Sequence, residues 1–301
     1  MHKKEITIEN ITITEDEQLR VASINLMHNQ VKFEERIELF KQNIKELNPD
    51  ILCLQELQSN AKSSIIDFLK KELGYKYSYI GTDVKDKYSE TRFANAILTN
   101  IEDTEFKPLP LGISGTGHQY ASGVIANFKK NGKDVHVFSV HLAWGGENEH
   151  LRLHQVNIIA READRLTARG TSPIVIVGGD FNCEPDSETL RYLYGKEVGT
   201  VHKGTYWVDA WKLHGTEENS ITNDPQMPLG RLTARRVGIP FSSLIPKRRI
   251  DYILVHGWAH GRQGSPLNFI RWADASDYKT LTVSDHYGVC SDIYIPLTES
   301  V

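Results

Sequence analysis

The sequence predicts an α/β chain in which two layers of β-sheet are wrapped by helices within one domain. Three observations carry that expectation. Unbroken apolar runs such as residues 174–177 (I-V-I-V) suit strands buried on both faces. Amphipathic segments with helical spacing alternate with such runs, and the strands fall in groups between the helices. Over 301 residues there is no linker, low-complexity tract or internal repeat to divide the chain.

In chain order, residues 1–18 carry alternating Ile6, Ile8, Ile11 and Ile13, an edge hairpin or a flexible lead-in. Residues 19–25 (L-R-V-A-S-I-N) form a strand that ends on a polar side chain. Phe33, Ile37, Phe40, Ile44 and Leu47 mark a helix, stopped by Asn48-Pro49. Residues 50–56 are a strand ending in an acid, and a helix around 61–73 stops at Gly74. Further strands are predicted at 75–80, 95–99, 123–128 and 135–140, the last running into His141. Residues 149–166 are a helix with Leu153, Val156, Ile159, Ala160, Ala163 and Leu166 inward. After the 174–177 strand, Gly178 and Gly179 permit a turn or a close approach, and Ser187 is placed to cap a helix reaching Tyr194. Residues 212–249 hold Pro225, Pro228, Pro240 and Pro246 without clear periodicity, and are predicted to be a long basic loop. Residues 250–255 are a strand carrying Asp251, 258–282 are mixed, and 289–295 close the chain as a strand.

Composition narrows the function classes. The chain is 40% hydrophobic and 25% charged, with net charge -4 and a pI near 6.3, which argues against holding DNA by bulk electrostatics. Cys53, Cys183 and Cys290 are odd in number and widely spaced, which disfavours a disulfide framework or structural zinc. The charged N-terminus has no apolar signal region, and no run approaches the roughly 18 apolar residues of a membrane span. A cytoplasmic protein with no obligate protein partner is the expected setting.

Six places share one feature, an apolar run that delivers a polar residue at or near its end. They are Asn25, Glu56, His141, Asp180 with Asn182, Asp251, and Asp285 with His286. Each has an ordinary alternative. Asn25 and the G-G-D-F-N stretch suit turns, Glu56 suits a helix start, His141 a structural histidine, and Asp251 an ion pair with Arg248 or Arg249. Asp180 and Asn182, as alternate residues, point the same way if the chain stays extended. Taken together the set supports phosphoester hydrolysis. Glu56 and Asp285 are hard ligands for Mg²⁺ or Mn²⁺, and Asn25 and Asn182 bind metal or phosphate without adding charge. His141 and His286 suit donors to non-bridging oxygens, Asp180 suits activation of water, and Asp251 suits orienting a histidine.

The motifs S-I-N-L (23–26), L-Q-E (54–56), S-V-H-L (139–142), G-D-F-N (179–182), R-I-D-Y (249–252) and S-D-H (284–286) occur in one order across nearly the whole chain. In this the sequence resembles the endonuclease/exonuclease/phosphatase superfamily, the DNase I-like phosphoesterases. The resemblance implies a four-layer α/β sandwich with two central mixed sheets flanked by helices. It implies divalent-metal hydrolysis with Glu56 as the main ligand, supported by Asn25 and Asp285. Asp180 and Asn182 then position water and phosphate, His141 and His286 flank the phosphate, and Asp251 pairs with His286.

The substrate is left open between a nucleic acid, a lipid head group as in sphingomyelinases, and a sugar or inositol phosphate. A non-catalytic module of the same fold is disfavoured by the intact acid and histidine set. Specificity is expected in loops 81–94, 111–122, 143–149 and 212–249. Trp144 beside His141 suits stacking on a base or sugar, or closing the core. Arg231, Arg235, Arg236, Lys247, Arg248 and Arg249 suit a grip on substrate phosphates, with Arg231, Arg235 and Arg248 as the leading candidates, or a solvated loop face. The overall acidity favours a shallow salt dependence over a dedicated DNA nuclease.

Overall fold

The computed structural model describes residues 3–27, 31–58, 65–81, 84–85, 92–113, 120–167, 173–197, 204–236, 238–239, 242–257, 264–273 and 281–297. In chain order its elements are β1 (Ile6–Ile8), β2 (Ile11–Ile13), β3 (Gln18–Asn25), α1 (Phe33–Leu47), β4 (Ile51–Gln58), α2 (Ile65–Leu73), β5 (Tyr77–Ile80), β6 (Val84–Lys85), β7 (Arg92–Thr99) and β8 (Glu105–Ile113). There follow β9 (Tyr120–Lys130), β10 (Lys133–His141), α3 (Glu149–Thr167), β11 (Ile174–Asp180), α4 (Glu188–Leu193), β12 (Trp207–Asp209), α5 (Ala210–His214), α6 (Pro228–Arg236), β13 (Asp251–His256), β14 (Ile270–Trp272) and β15 (Gly288–Tyr294). The start of the 61–73 helix, most of loop 81–94 and residues 114–119 of loop 111–122 lie outside the described residues; 111–113 and 120–122 belong to strands β8 and β9.

Two mixed sheets face each other. One has the order β12-β13-β11-β10-β9-β8, the other β14-β15-β3-β4-β7-β5 with β6 on β7. Each contains one parallel pair, β10 with β11 and β3 with β4. The alternation of strand side chains builds the layers. In β10, Val135 and Val137 enter the core between the sheets, while Phe138 and Val140 face α3 and α4 on the outside. In β3, Leu19 and Val21 point between the sheets, while Ala22 and Ile24 face α1 and α2. Burial on both faces is why these strands read as continuous apolar runs rather than alternating ones. The result is the four-layer sandwich, helices outside two sheets.

Local signals explain most element ends. Helix α1 stops where Asn48 turns left-handed at φ 49° and its N–H returns to Ile44. Ser187 caps α4 by accepting from the Leu190 N–H. The N-terminal hairpin forms, turning at Glu9 and Asn10 (φ 48° and 70°), but among the described residues it is a separate two-stranded sheet rather than an addition to either sheet edge.

The structure corrects several expectations. Residues 212–249 are not one unstructured loop. They hold the end of α5, 3-10 turns at 217–219 and 242–244, and α6, which starts at Pro228, a residue favoured at the first helical position. Strand β8 is absent from the sequence reading because Pro108 and Pro110 interrupt it. It occupies a sheet edge, the place where a missing N–H is tolerated. Gly179 does not turn the chain. It lets β11 approach β10, since a Cβ there would lie 2.0 Å from the Val140 carbonyl oxygen.

Candidate active site

Asn25 and His141 end β3 and β10, and Asp180 ends β11, so the carboxyl ends of both parallel pairs open onto one spot. Glu56 reaches the same spot differently. Strand β4 shifts register between Leu54 and Leu57, and Glu56 sits there at φ 51°, a left-handed bulge that re-aims its side chain. Asp180 is the registered neighbour of His141 on one side and of Asp251 on the other.

Asp180 is the hub. Its Oδ1 accepts from the Asn182 backbone N–H at 2.8 Å, an Asx turn. Asn182 therefore leaves the extended conformation, at φ 51°, and does not continue the strand alternation with Asp180. Asp180 Oδ2 accepts from Asn25 Nδ2 at 3.0 Å, and lies 3.5 Å from His141 Nε2 and 3.8 Å from His286 Nε2. Asn25 Nδ2 also reaches Glu56 Oε1 at 3.2 Å, and His141 Nε2 lies 3.9 Å from that oxygen. The Asn25 amide has its orientation set by the Met27 N–H, which donates to Oδ1. Asn25 thus presents its NH₂ to both carboxylates and tethers them across the two sheets.

The two histidines occupy different electrostatic settings. Asn182 Nδ2 donates to the Leu142 carbonyl at 3.0 Å, which fixes that amide, and its second hydrogen faces His141 Nε2 at 2.9 Å. His141 Nε2 is then the acceptor in this hydrogen bond. His286 donates from Nδ1 to Asp251 Oδ2 at 2.9 Å, with both residues buried. Burial opposes charge on this imidazole, but Asp251, Asp180 and Asp285 outweigh it and raise the pKa to about 10. Burial likewise pushes Asp251 up, to about 6, against the pull of His286. Three carboxylates surround one ring, so the pair holds its proton on the imidazole at neutral pH. Asp251 pairs with neither Arg248 nor Arg249. Arg249 is buried and donates to Asp209 at 2.8 Å, which removes it from the basic loop face.

Asp285 is held from a different direction. Thr233 on α6 donates to its Oδ2 at 2.8 Å, and Ser284 to Oδ1 at 3.2 Å. Asn223 donates to the Asp285 carbonyl, and accepts from Arg248 at 3.2 Å. Thr222 accepts from the N–H groups of Ile250 and Asp251. Of the other candidates, Trp144 is half exposed, Arg231 and Arg235 are exposed, and Lys247 is paired with Asp224.

Several contributors escaped the sequence reading. Thr222, Asn223 and Thr233 come from the aperiodic stretch and carried no signal. Arg36 did carry one, a cation among the apolar positions of α1. It is buried, donates to the carbonyls of Leu26, Met27 and Val283, and lies within the field of Asp285 and Glu56.

Asp180, Asp251 and His286 each offer an atom within 4.8 Å of the others, the arrangement that a metal could bridge. Imidazolium has no free lone pair, however, so His286 is a poor ligand in its protonated form. The carboxylate oxygens of Asp180 and Asp251 in this group suit a hard divalent cation; among the described residues the expected ligands Glu56 and Asp285 do not join Asp180 in a cluster that close, Glu56 reaching it through Asn25 and Asp285 being held by Thr233 and Ser284.

Comparison with known proteins bears on the family and the fold. Residues 22–286 match the model of the Endonuclease/Exonuclease/phosphatase family. Protein angel of Drosophila melanogaster is 26% identical over 183 residues, 58% of this chain and 50% of that protein. The probable CCR4-Not complex 3'-5'-exoribonuclease subunit Ccr4 of Enterocytozoon bieneusi is 24% identical over 256 residues, 74% of this chain and 50% of that one. The chain thus spans about half the length of these curated relatives. D. rerio TDP2, solved with a single strand DNA product, shares the fold at a TM-score of 0.69 and 16% identity, covering 92% of this chain and 98% of that one.

Proposed function

The chain belongs to the endonuclease/exonuclease/phosphatase family of divalent-metal-dependent phosphoester hydrolases, and on that premise we propose that it cleaves phosphodiester bonds of a nucleic acid that it grips at few phosphates. The observation that carries the chemistry is Asp180 Oδ2, a buried carboxylate oxygen within 4 Å of Asn25, His141 and His286. Mg²⁺, or Mn²⁺ in its place, is the cation the oxygen donors favour, with Glu56 and Asp285 as principal ligands; Asn25, expected as a supporting ligand, instead turns its NH₂ to the site and holds the carboxylates in place. Bound there, it supplies Lewis-acid stabilisation of the phosphoryl oxygens.

The chain's own groups have distinct tasks. Asp180 takes the proton from the attacking water as the new P–O bond forms and the bond to the leaving oxygen breaks. His286, held cationic by Asp251, donates from Nε2 to a non-bridging oxygen. Asn182 and His141 share one hydrogen bond that an entering phosphate oxygen can replace, which frees the Asn182 NH₂ to donate to it.

The nucleic-acid reading draws on the relatives, an exoribonuclease subunit and a protein solved with single-stranded DNA. The expectation of few contacts draws on charge. In the basic stretch, Arg249 is buried, Lys247 is paired with Asp224 and Arg248 donates to Asn223, while Arg231 and Arg235 are exposed to meet phosphate, with Trp144 as a surface for a base. A screen of single-stranded RNA and DNA, inositol phosphates and sphingomyelin with Mg²⁺ tests the reading. Turnover of the oligonucleotides is expected, and turnover confined to the small phosphomonoesters or the lipid would overturn it.

A further inference from the structure

The period-two alternation of the strands places a second layer directly beneath the site. On the inter-sheet face β3 runs Leu19, Val21, Ser23, Asn25, and β10 runs Val135, Val137, Ser139, His141. Strand β11 runs Ile174, Ile176, Gly178, Asp180, and β4 runs Ile51, Cys53, Gln55 before its bulge delivers Glu56. One residue pair below each site residue, the apolar core thus gives way to Ser23, Gln55, Ser139 and a glycine. The three polar side chains are essentially inaccessible to solvent. They are joined into one chain across the sheets. Ser23 donates to Gln55 Oε1 at 3.2 Å, Gln55 Nε2 donates to Ser139 Oγ at 3.2 Å, and Ser139 reaches back to the Leu54 carbonyl at 3.4 Å. A Cβ on Gly178 would lie 3.4 Å from the Ser23 Cβ and 3.6 Å from Cys53 Sγ, so this layer is also closely packed.

We propose that Gln55 is a positioning residue, the tie that sets the spacing of the two sheets beneath the site and so fixes Glu56 and Asn25 against His141 and Asp180. The inference rests on the hydrolase reading. A buried amide between two sheets is unfavourable compared with an apolar side chain unless its geometry is fully matched, and the match here is directional. Apolar packing tolerates sliding of one sheet over the other, whereas the Gln55–Ser139 hydrogen bond between the sheets does not, because Ser23 on the neighbouring strand of its own sheet holds the other end of the Gln55 amide. The contacts that depend on this registration cross the sheets: Asn25 to Asp180 at 3.0 Å and Glu56 to His141 at 3.9 Å.

A wholly apolar layer separates positioning from simple stability. Gln55→Met alone takes the acceptor from the buried Ser23 hydroxyl and the amide donor from Ser139, and is expected to lower the Tm. The triple variant Ser23→Ala, Gln55→Met, Ser139→Ala removes every polar group of the tie and is expected to regain most of that Tm. Its kcat on an oligonucleotide is expected to stay down by about tenfold to a hundredfold with KM little changed, the signature of displaced reacting groups. Mn²⁺ binding followed by electron paramagnetic resonance should weaken in parallel. A triple variant that recovers both Tm and kcat would overturn the proposal. Ser139→Ala, which frees only one end of the amide, is tested beside it in case the triple variant does not fold. Unchanged kcat and Mn²⁺ affinity in that variant would equally overturn the idea. Absence of turnover by the unaltered chain with metal would instead refute the hydrolase reading itself.

Discussion

Replacing Asp251 by asparagine keeps the shape of the buried Asp251–His286 pair and removes its negative charge. The wild-type contact is 2.9 Å long and closed to solvent, so water does not screen it. Removing one partner of a buried ion pair outright costs about 3–5 kcal/mol. Asparagine still offers an acceptor oxygen, so the loss should be nearer the value of a charge-assisted hydrogen bond, about 1.5–3 kcal/mol. The sign with pH follows from His286. Its folded pKa of about 10 lies above the unfolded value of about 6.5, so the stabilisation His286 contributes is complete below about pH 6.5 and is lost as pH rises through 10. Asp251→Asn should therefore flatten the fall in stability between those values and move the alkaline limb of kcat to lower pH. Loss of an oriented cationic donor should also lower kcat by about 10²–10³. Urea melts from pH 6 to 10, with NMR titration of the His286 ring, measure each part. The double variant with His286→Gln should cost little more than either single one. Additive losses, or a wild-type His286 that titrates near 6.5, would refute the reasoning.

Gly179→Ala should destabilise the fold by at least the upper end of about 1–3 kcal/mol, because its Cβ would collide with backbone rather than a movable side chain; a chemical melt checks it. Trp144→Ala should leave the melt unchanged, since half of the ring is already exposed, and should raise KM for an oligonucleotide by about five- to a hundredfold if a base stacks there, about 1–3 kcal/mol. Neutralising Arg231 and Arg235 together should reduce the slope of log affinity against log salt on single strands by about 1.4, two contacts at roughly 0.7 each; a steeper wild-type slope than about 3 would show more phosphate contacts than these arginines supply.

The strands and their polar termini were legible because burial on both faces leaves a long apolar run, and the residue that breaks it stands out. Asn25, His141 and Asp180 were readable for that reason. Glu56 was readable as a strand-end acid, but its direction was not, because a bulge is a change of register and leaves no mark on apolar spacing. The stretch 212–249 was opaque. Its prolines suggested a loop, whereas Pro228 begins α6 and Thr233, in that helix, holds Asp285. Gln55 was visible inside L-Q-E, yet its task depends on Ser23 and Ser139, partners 32 and 84 residues away, and no local pattern reports such distances.

Metal-dependent hydrolysis is tested by treating the chain with a chelator and measuring cleavage of a single-stranded oligonucleotide as Mg²⁺ or Mn²⁺ is returned. No turnover is expected without metal, and saturable recovery with it. For Glu56→Gln recovery is expected only at higher metal concentrations, with a melting curve close to that of the unaltered chain. Full turnover in the presence of chelator, or a Glu56→Gln variant with an unshifted metal dependence, would contradict this reading.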